Sequence, residues 1–156
     1  MVGLQETIRQ DFSIQELERL TPNKFTWQWL PAVGRSGGIL MGVKDEKFEV
    51  EDMDRGEFFL SMTITDRTSH FCWEVIIVYG PADHSRSATF LTEMRAKVSR
   101  CHTPVVVAGD FNLIRSSEEK SSNLVDLPRM RAFNECIADL APSGADSRRW
   151  ALHLVE

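Results

Sequence analysis

The sequence predicts a mixed α/β domain in which helices pack as a layer on β-sheet. Residues 25–79 contain short apolar or alternating runs separated by turn residues, which is the pattern of consecutive strands. Three segments outside this region place apolar residues at helical spacing. Val105–Ala108, in which every residue is apolar, is typical of a strand that is covered on both faces. Strands and helices in this order predict a layered domain.

The first predicted elements are the end of a strand at Leu4-Gln5-Glu6 and a short helix after it. Ser13-Ile14-Gln15-Glu16 matches the capping box, in which a serine and a glutamate satisfy free amides of the first helical turn. Thr21-Pro22-Asn23 ends this helix, because proline and asparagine favour turns. Its apolar residues share one face: Ile14, Leu17 and Leu20.

Five strands are predicted between residues 25 and 79 because each run there is short and rich in aromatic or β-branched residues. Turn residues at Asp54-Arg55-Gly56 and at Asp66–Ser69 predict hairpin connections between the later strands. The predicted strands are Phe25–Leu30, Gly38–Val43, Lys47–Val50, Phe58–Ile64 and Phe71–Val78.

The second half of the sequence predicts two longer helices, one before and one after the apolar strand Val105–Ala108. Asp83 or Ser85 caps a helix that runs to about Arg100, and Asp126 with Pro128 begins the other. Pro142-Ser143-Gly144 ends this second helix, and residues 145–156 show no clear pattern. The residues expected to be buried are Phe90, Leu91, Met94 and Val98 in the first helix and Met130, Phe133, Ile137 and Leu140 in the second.

Composition and charge exclude several classes of protein. The chain is 42% apolar and 26% charged, which is ordinary for a globular domain and too apolar for a disordered one. No run approaches the roughly 18 apolar residues of a membrane span. The three cysteines form no CxxC pair, and the N-terminus does not resemble a signal peptide, so we expect an intracellular protein without a disulfide framework.

Charge is distributed unevenly along the chain. The net charge is −5, which argues against a generally basic nucleic-acid-binding surface. Residues 84–131 contain 8 basic and 5 acidic side chains, whereas residues 1–83 contain 8 basic and 14 acidic ones. If a polyanion binds, the middle third is therefore the expected place, although a solvated helix face also explains the excess.

Polar side chains follow three of the predicted strands at the point where each strand ends. Glu6 ends the first, Tyr79 follows Val75–Val78, and Asp110 and Asn112 follow Val105–Ala108. Ligands of open α/β sheets bind at the carboxyl ends of strands, so we expect these side chains to converge. Carboxylate oxygens suit a hard cation such as Mg²⁺, and the Asn112 amide suits a phosphoryl oxygen.

Four motifs occur in an order that resembles one known superfamily: Gln5-Glu6-Thr7, Ser36-Gly37-Gly38, Tyr79-Gly80-Pro81 and Gly109-Asp110-Phe111-Asn112. Over roughly residues 1–140 the chain resembles the endonuclease/exonuclease/phosphatase superfamily. The nearest resemblance is to the endonuclease domain of plant LINE-type retrotransposons. The resemblance implies an incomplete layered α/β sandwich over residues 1–140, followed by a divergent tail over residues 141–156.

The resemblance also implies a role for each site residue. Glu6 would bind the catalytic divalent metal, Mg²⁺ or alternatively Mn²⁺, and Tyr79 would contact the scissile phosphate. Asp110 would position or activate the attacking water, and Asn112 would stabilise the phosphate. The implied reaction is metal-assisted hydrolysis of phosphodiesters in DNA, and the implied location is the nucleus. The sequence identifies no protein partner.

The chain departs from the superfamily pattern at both ends. The superfamily has a first strand ending in asparagine before the Gln-Glu motif, and a Ser-Asp-His motif that carries the histidine base. Neither occurs here, and His153 has no acidic neighbour. We therefore expect a partial domain with impaired activity. Two alternatives stay open, a non-catalytic retrotransposon remnant and a phosphatase of small phosphoesters.

Each site residue also has a purely structural interpretation. Glu6 fits a solvated terminal residue, and Tyr79 fits a core tyrosine. Asp110 and Asn112 fit an Asx turn after a strand, which is compatible with a role in the site. Gly34–Gly38 has the composition of a phosphate-binding loop, but a tight turn before a strand explains it more simply.

Overall fold

The computed structural model describes residues 1–21, 24–34, 37–119 and 125–140, and the backbone of 150–154. Within these residues the helices are α1 (Ile14–Leu20), α2 (Ser87–Ser99) and α3 (Leu127–Leu140). Short 3₁₀ turns occur at His84–Arg86 and Ser117–Glu119. The strands are β1 (Val2–Gln5), β2 (Phe25–Leu30), β3 (Ile39–Lys44), β4 (Phe48–Arg55), β5 (Phe59–Asp66), β6 (Cys72–Tyr79), β7 (Val105–Asp110) and β8 (Trp150–Leu154).

The strands form two sheets. The smaller sheet has the antiparallel order β1-β3-β2, and the larger has the order β4-β5-β6-β7-β8. In the larger sheet β4, β5 and β6 are antiparallel neighbours, whereas β6, β7 and β8 run parallel. A parallel pair needs a crossover connection, and α2 lies between β6 and β7 in the chain as α3 lies between β7 and β8.

Two hydrophobic clusters hold these layers together. The inter-sheet core fills the space between the two sheets and is made of Ile39, Met41, Val43, Leu60, Met62, Ile64, Val75 and Ile77. The helix-side core joins the other face of the larger sheet to α2 and α3, with Phe90, Phe111, Phe133 and Cys136 among its buried members. The predicted layered α/β sandwich is therefore confirmed.

Most predicted strands occur within one or two residues of their expected positions. The exception is β4, which continues from Val50 to Arg55 through an irregularity in register, so the predicted turn at Asp54 and Arg55 is strand instead. That hairpin turns at Gly56, whose N–H donates to Phe59 O at 3.0 Å. The Asp66 turn is as predicted, because Asp66 Oδ1 accepts hydrogen bonds from the amides of the third and fourth turn residues.

The helices lie where they were predicted, but capping and burial differ. Asp83 caps the 3₁₀ turn at His84–Arg86, and α2 begins at Ser87 without a side-chain cap. Ser13 and Glu16 form the predicted capping box, but only Leu17 of the expected face of α1 is buried, and Ile14 is 74% exposed. In α3, Phe133 is buried as expected, whereas Met130, Ile137 and Leu140 are only partly buried. Cys136 is buried beside Phe133 without having been predicted. Asp126 accepts from the amide of Arg129 and so caps α3. No helix in the described part of the chain is long and apolar enough to cross a membrane.

Strand β7 lies inside the larger sheet, between β6 and β8, as the apolar run predicts. Its burial alternates, however. Val105 and Val107 face the helix-side core and are nearly inaccessible, whereas Val106 and Ala108 are half-buried. The expectation of near-complete burial was wrong for these two residues, because the three-stranded sheet covers this side of β7 less fully than it covers β6. Strand β8 occupies part of the tail in which the sequence showed no pattern.

Candidate active site

The carboxyl ends of β6 and β7 lie side by side. Because the two strands are parallel, Tyr79 and Asp110 are direct partners in the register. The end of β1 reaches the same place from the smaller sheet, where the Gln5 Nε2 amide donates to Val78 O at 2.7 Å. Glu6, the residue after β1, is thereby brought beside the ends of two strands of the other sheet.

Tyr79 is the residue around which the four candidates gather. Its hydroxyl donates to Glu6 Oε1 at 2.5 Å. Asp110 is close enough for its charge to act on the same hydroxyl, and the Asn112 side chain interacts with it directly. The expected convergence of the four side chains at one edge is therefore present in the structure.

The loop after β7 fixes Asp110 and Asn112 relative to each other. The Asn112 amide N–H donates to Asp110 Oδ1 at 2.8 Å, which is the hydrogen bond of an Asx turn. The Asn112 Nδ2 donates to Gly80 O at 2.8 Å, and Gly80 N–H donates to Asp110 O at 2.7 Å. The Asx turn expected as a structural alternative is thus present, and it orients both side chains.

Backbone conformation singles out two of the four residues. Glu6 and Asn112 have φ angles of 51° and 50°, in the left-handed region that residues other than glycine rarely occupy. Ile8 and His70 share this conformation. A residue held in a sparsely populated region costs about 1–3 kcal/mol, and such residues concentrate at functional sites. The strain at Glu6 and Asn112 is consistent with a functional role, although the same conformation at Ile8 and His70 shows that it is not confined to the candidate site.

Two glycines allow the strand ends to approach closely. A Cβ at Gly109, which has φ 140°, would lie 2.0 Å from Val78 O and 2.2 Å from Gln5 Nε2. A Cβ at Gly80 would lie 2.0 Å from Phe111 O. A side chain at either position would separate the loops that carry the candidate residues, so both glycines are required for the geometry.

The environment keeps Tyr79 protonated. Partial burial, together with the hydrogen bond to Glu6 and the negative charge of Glu6, raises the pKa of Tyr79 to about 12. Asp110 adds to this effect, whereas Asn112 opposes it. At neutral pH Tyr79 is therefore a hydrogen-bond donor and does not act as a phenolate.

Two pockets adjoin candidate site residues, one at Tyr79 and the other at Asn112. The first, which we call the Tyr79 pocket, has a volume of about 200 Å³, and its apolar walls include Leu30, Pro31, Ile39, Phe58, Tyr79 and Ala82. The second, of about 120 Å³, is lined by Asn112, His84 and Arg129 among others.

The charged groups around these pockets are mainly acidic or paired. Arg86 forms an ion pair with Glu57 beside the Tyr79 pocket. Arg129 forms one with Asp126 at 2.7 Å beside the second pocket. The Glu6 and Asp110 carboxylates add negative charge between the pockets. This arrangement favours a bound cation at the site.

The oxygen donors present fit a magnesium ion better than a zinc ion. Glu6 and Asp110 supply carboxylates within reach of one hydroxyl group. Among the described residues no group of three or more histidine, cysteine, aspartate or glutamate side chains could hold a metal. Mg²⁺ is commonly held by one or two carboxylates together with water and substrate phosphate oxygens, whereas structural zinc takes four protein ligands.

Sequence reasoning missed two residues that shape the site. The sequence indicated Gln5 only as a member of the Gln5-Glu6-Thr7 motif, yet its side chain hydrogen-bonds Val78 O of the other sheet. Arg86 gave no signal in the sequence. His84 is exposed and lines the second pocket with Asn112. Ser36 and the side chain of His153 lie outside the described residues.

Comparisons with known proteins find likeness in structure only. No family model matches the chain, and no curated protein matches it in sequence. Among solved structures, the human Nocturnin catalytic domain with bound sulfate is 18% identical with a TM-score of 0.51, covering 74% of this chain and 52% of that chain. A D. rerio TDP2 humanized by 14 mutations is 18% identical with a TM-score of 0.53, covering 72% and 52%.

A third solved structure has a higher TM-score. ANGEL2, a 2′,3′-cyclic phosphatase in complex with adenosine-2′,3′-vanadate, is 21% identical with a TM-score of 0.57, covering 74% of this chain and 40% of that chain. The chain thus spans about half or less of the length of these structures. The likenesses identify the fold as a partial α/β sandwich of the endonuclease/exonuclease/phosphatase type.

Proposed function

We propose that this chain carries the phosphate-binding half of a divalent-metal-dependent phosphoester hydrolase. The observation that carries the proposal is the hydrogen bond from Tyr79 to Glu6 beside the Asp110–Asn112 turn. This arrangement places three groups together: a carboxylate that can bind a cation, a protonated phenol and a side-chain amide. Each of these groups has a separate task in the hydrolysis of a phosphoester.

Glu6 is the proposed metal ligand. Tyr79 engages Oε1, and a carboxylate has a second oxygen with which to meet a cation. Mg²⁺, or Mn²⁺ in its place, would supply charge neutralisation on the phosphoryl oxygens and stabilise the departing oxygen when bound. The left-handed backbone at Glu6 directs this carboxylate towards the strand ends of the larger sheet.

Asp110 and Asn112 act on the water and the phosphate. Asp110 accepts a hydrogen bond from the Asn112 amide on one oxygen, and the carboxylate orients or deprotonates the attacking water. The Asn112 Nδ2 carries two hydrogens, and Gly80 O accepts one of them at 2.8 Å. The other interacts with the Tyr79 hydroxyl in this structure, and it passes to a phosphoryl oxygen when substrate binds.

Tyr79 supplies a donor to the same phosphate. Because its pKa is raised to about 12, it keeps its proton throughout the physiological range. The substrate phosphoryl oxygen replaces Glu6 as the acceptor of that proton. This exchange releases the Glu6 carboxylate for the cation at the moment at which the phosphate arrives.

Two substrate classes are proposed within this chemistry. DNA, and with it a nuclear location and descent from a plant LINE-type retrotransposon, is supported by the order of the four motifs. A small phosphoester is supported by a specific observation, since the arginines of both pockets are already paired with carboxylates. Binding of a polyanion draws on unpaired basic groups, which release counterions from the phosphates. The 2′,3′-cyclic phosphatase among the structural neighbours supports phosphoester chemistry on this fold.

Hydrolysis with Mg²⁺ tests the proposal. Bis(p-nitrophenyl) phosphate and supercoiled plasmid are incubated with the purified chain, with Mg²⁺ or with a chelator. We expect slow, chelator-sensitive hydrolysis, because no histidine of the described residues hydrogen-bonds Asp110 or Asn112, and general acid–base catalysis is worth about 10²–10⁴-fold. Preference for the small ester over plasmid would favour the second substrate class.

The matched variants are Asp110→Ala with Asn112→Ala, and Glu118→Gln as a control on an exposed 3₁₀ turn. The double variant should lose the Mg²⁺-dependent rate, and the control should keep it. A rate that survives in the double variant would show that contamination or another site is responsible, and the proposed function would be rejected.

A further inference from the structure

The Tyr79 pocket and the proposed phosphate site share one wall. The Tyr79 ring lines the pocket, while its hydroxyl donates to Glu6 in the site. Gly37 lies beside the Tyr79 ring, since a Cβ on Gly37 would lie 3.8 Å from two of the ring carbons. A group attached to a phosphate at the Tyr79 hydroxyl therefore has the pocket directly beside it.

The pocket has the size and the largely apolar lining for one ring. Phe58 is 5% exposed and forms the floor together with Ile39, and Arg86 lies over the Phe58 ring at 4.9 Å from its centroid. A guanidinium stacked in this way presents a planar face to a second ring. The volume of about 200 Å³ is below the roughly 300–1,000 Å³ of pockets that take whole drug-sized ligands. One ring fits this size, whereas a whole nucleotide does not.

From this continuity we infer that the Tyr79 pocket is a specificity subsite for a ring-bearing substituent of the phosphoester. The inference rests on the proposed function and adds the substrate class, an ester whose phosphate carries an aromatic or nucleobase-like ring on the Tyr79 side. The charge at the pocket also favours an uncharged ring over a second phosphate. Glu57 and Asp83 lie at the pocket with Arg86, so a second phosphate in the pocket would meet more negative than positive charge.

Ala82 gives a way to close the pocket without disturbing the core. It lines the pocket and is exposed, so a larger side chain there can fill the space from outside. Ala82→Trp is the filling variant. Ala96→Trp adds the same indole to an exposed position of α2 that does not line the pocket.

The experiment compares inorganic phosphate with phenyl phosphate by calorimetric titration in the presence of Mg²⁺. In the wild type we expect phenyl phosphate to bind about tenfold more tightly. That factor corresponds to about 1.4 kcal/mol, which needs burial of only about 60 Å² of apolar surface. Ala96→Trp should keep the tenfold preference. In Ala82→Trp the ratio of the two affinities should fall to about one.

The outcomes separate the two proposals. Equal affinities for the two ligands in the wild type, or an unchanged preference in Ala82→Trp, would overturn the subsite and leave the phosphate site standing. If phenyl phosphate binds without any dependence on Mg²⁺, and inorganic phosphate does not bind, the ring subsite survives and the proposed hydrolase function fails. If neither ligand binds, both are rejected.

Discussion

The Tyr79 hydroxyl and the Glu6 carboxylate are 2.5 Å apart although they come from different sheets. Tyr79 ends β6 of the larger sheet, and Glu6 follows β1 of the smaller one. In the part of the chain that the structure describes, the Gln5 side chain makes a second crossing at the same point, through Val78 O. The candidate site is thus built at a junction between two layers, and the predictions below follow from that position.

Titration of Tyr79 should reveal its contact with Glu6. The chain has one tyrosine, so its phenolate absorbance reports this residue alone. We expect a pKa of about 12 in the wild type, and a lower value in Glu6→Gln because that variant removes the negative charge. Partial burial persists in the variant, so its pKa should stay above the ordinary value of about 10. Identical titrations in the two proteins would show that Glu6 does not act on Tyr79.

The same shift predicts how stability depends on pH. The folded protein binds the Tyr79 proton more tightly than the unfolded chain does, so the contribution is complete below about pH 10. It is lost as the pH rises towards about 12. Over this window, the free energy of unfolding should fall more steeply in the wild type than in Glu6→Gln. Equal slopes in denaturant titrations would contradict the prediction.

Magnesium affinity should depend on Glu6. Glutamine keeps an oxygen that can accept from Tyr79, so Glu6→Gln removes the charge while it preserves the hydrogen bond. We expect Mg²⁺ affinity to fall by at least about tenfold, because even outer-shell partners of metal ligands are worth about 10–100-fold. Calorimetric or NMR titration measures the change, with Glu118→Gln as the control. Equal affinities would remove Glu6 as a ligand.

Replacing Gly109 should test the close approach of the strand ends. In Gly109→Ala the new methyl group meets Val78 O and the Gln5 amide, and the residue keeps a positive φ. We expect the free energy of unfolding to fall by about 3 kcal/mol, from backbone strain and the displaced hydrogen bond. Gly34→Ala is the matched control, since Gly34 also has a positive φ but nothing lies within 4 Å. Its loss should be about 1 kcal/mol; equal losses would exclude a close approach at Gly109.

The buried ion pair between Lys97 and Glu74 lies away from the candidate site, and it should determine how strongly substitution of Lys97 lowers the stability of the fold. Lys97 Nζ lies 2.6 Å from Glu74 and 2.9 Å from Asp54, and the Lys97 and Glu74 side chains are less than 10% exposed. Lys97→Met should cost about 3–5 kcal/mol because Glu74 is left charged and buried. Adding Glu74→Gln should recover part of that loss. Chemical denaturation measures both, and a double variant no more stable than Lys97→Met would contradict the pairing.

The sequence predicted what depends on neighbouring residues. The Asx turn at Asp110 and Asn112 follows from residue types two apart at a strand end, and the Ser13 capping box follows from a spacing of three. The sequence did not predict the Gln5–Val78 hydrogen bond, which joins residues 73 positions apart. Nor did it predict the pairing of Arg86 with Glu57, 29 positions apart. Such contacts exist only after the layers have packed, and no local pattern encodes them.

Burial was harder to predict than secondary structure for the same reason. Lys97 lies on the inner face of α2, where its charge is accommodated only because Glu74 and Asp54 meet it there. Val106 is apolar but half-buried, because the smaller sheet decides how far that face is covered. In both cases the burial of the residue depends on a group in another layer of the fold, and the local sequence does not identify that group.

Strand β1 has four residues and lies at the margin of its sheet, paired with β3 alone among the described strands. Short marginal strands open locally at a free energy well below that of global unfolding. When β1 detaches, Glu6 leaves while Tyr79, Asp110 and Asn112 remain on the larger sheet. The chain would then pass through a native-like state that lacks the Glu6–Tyr79 contact in mild denaturant, with β1 amides exchanging with solvent before those of β6 and β7. Loss of the proposed Mg²⁺ site should therefore precede the loss of tertiary structure.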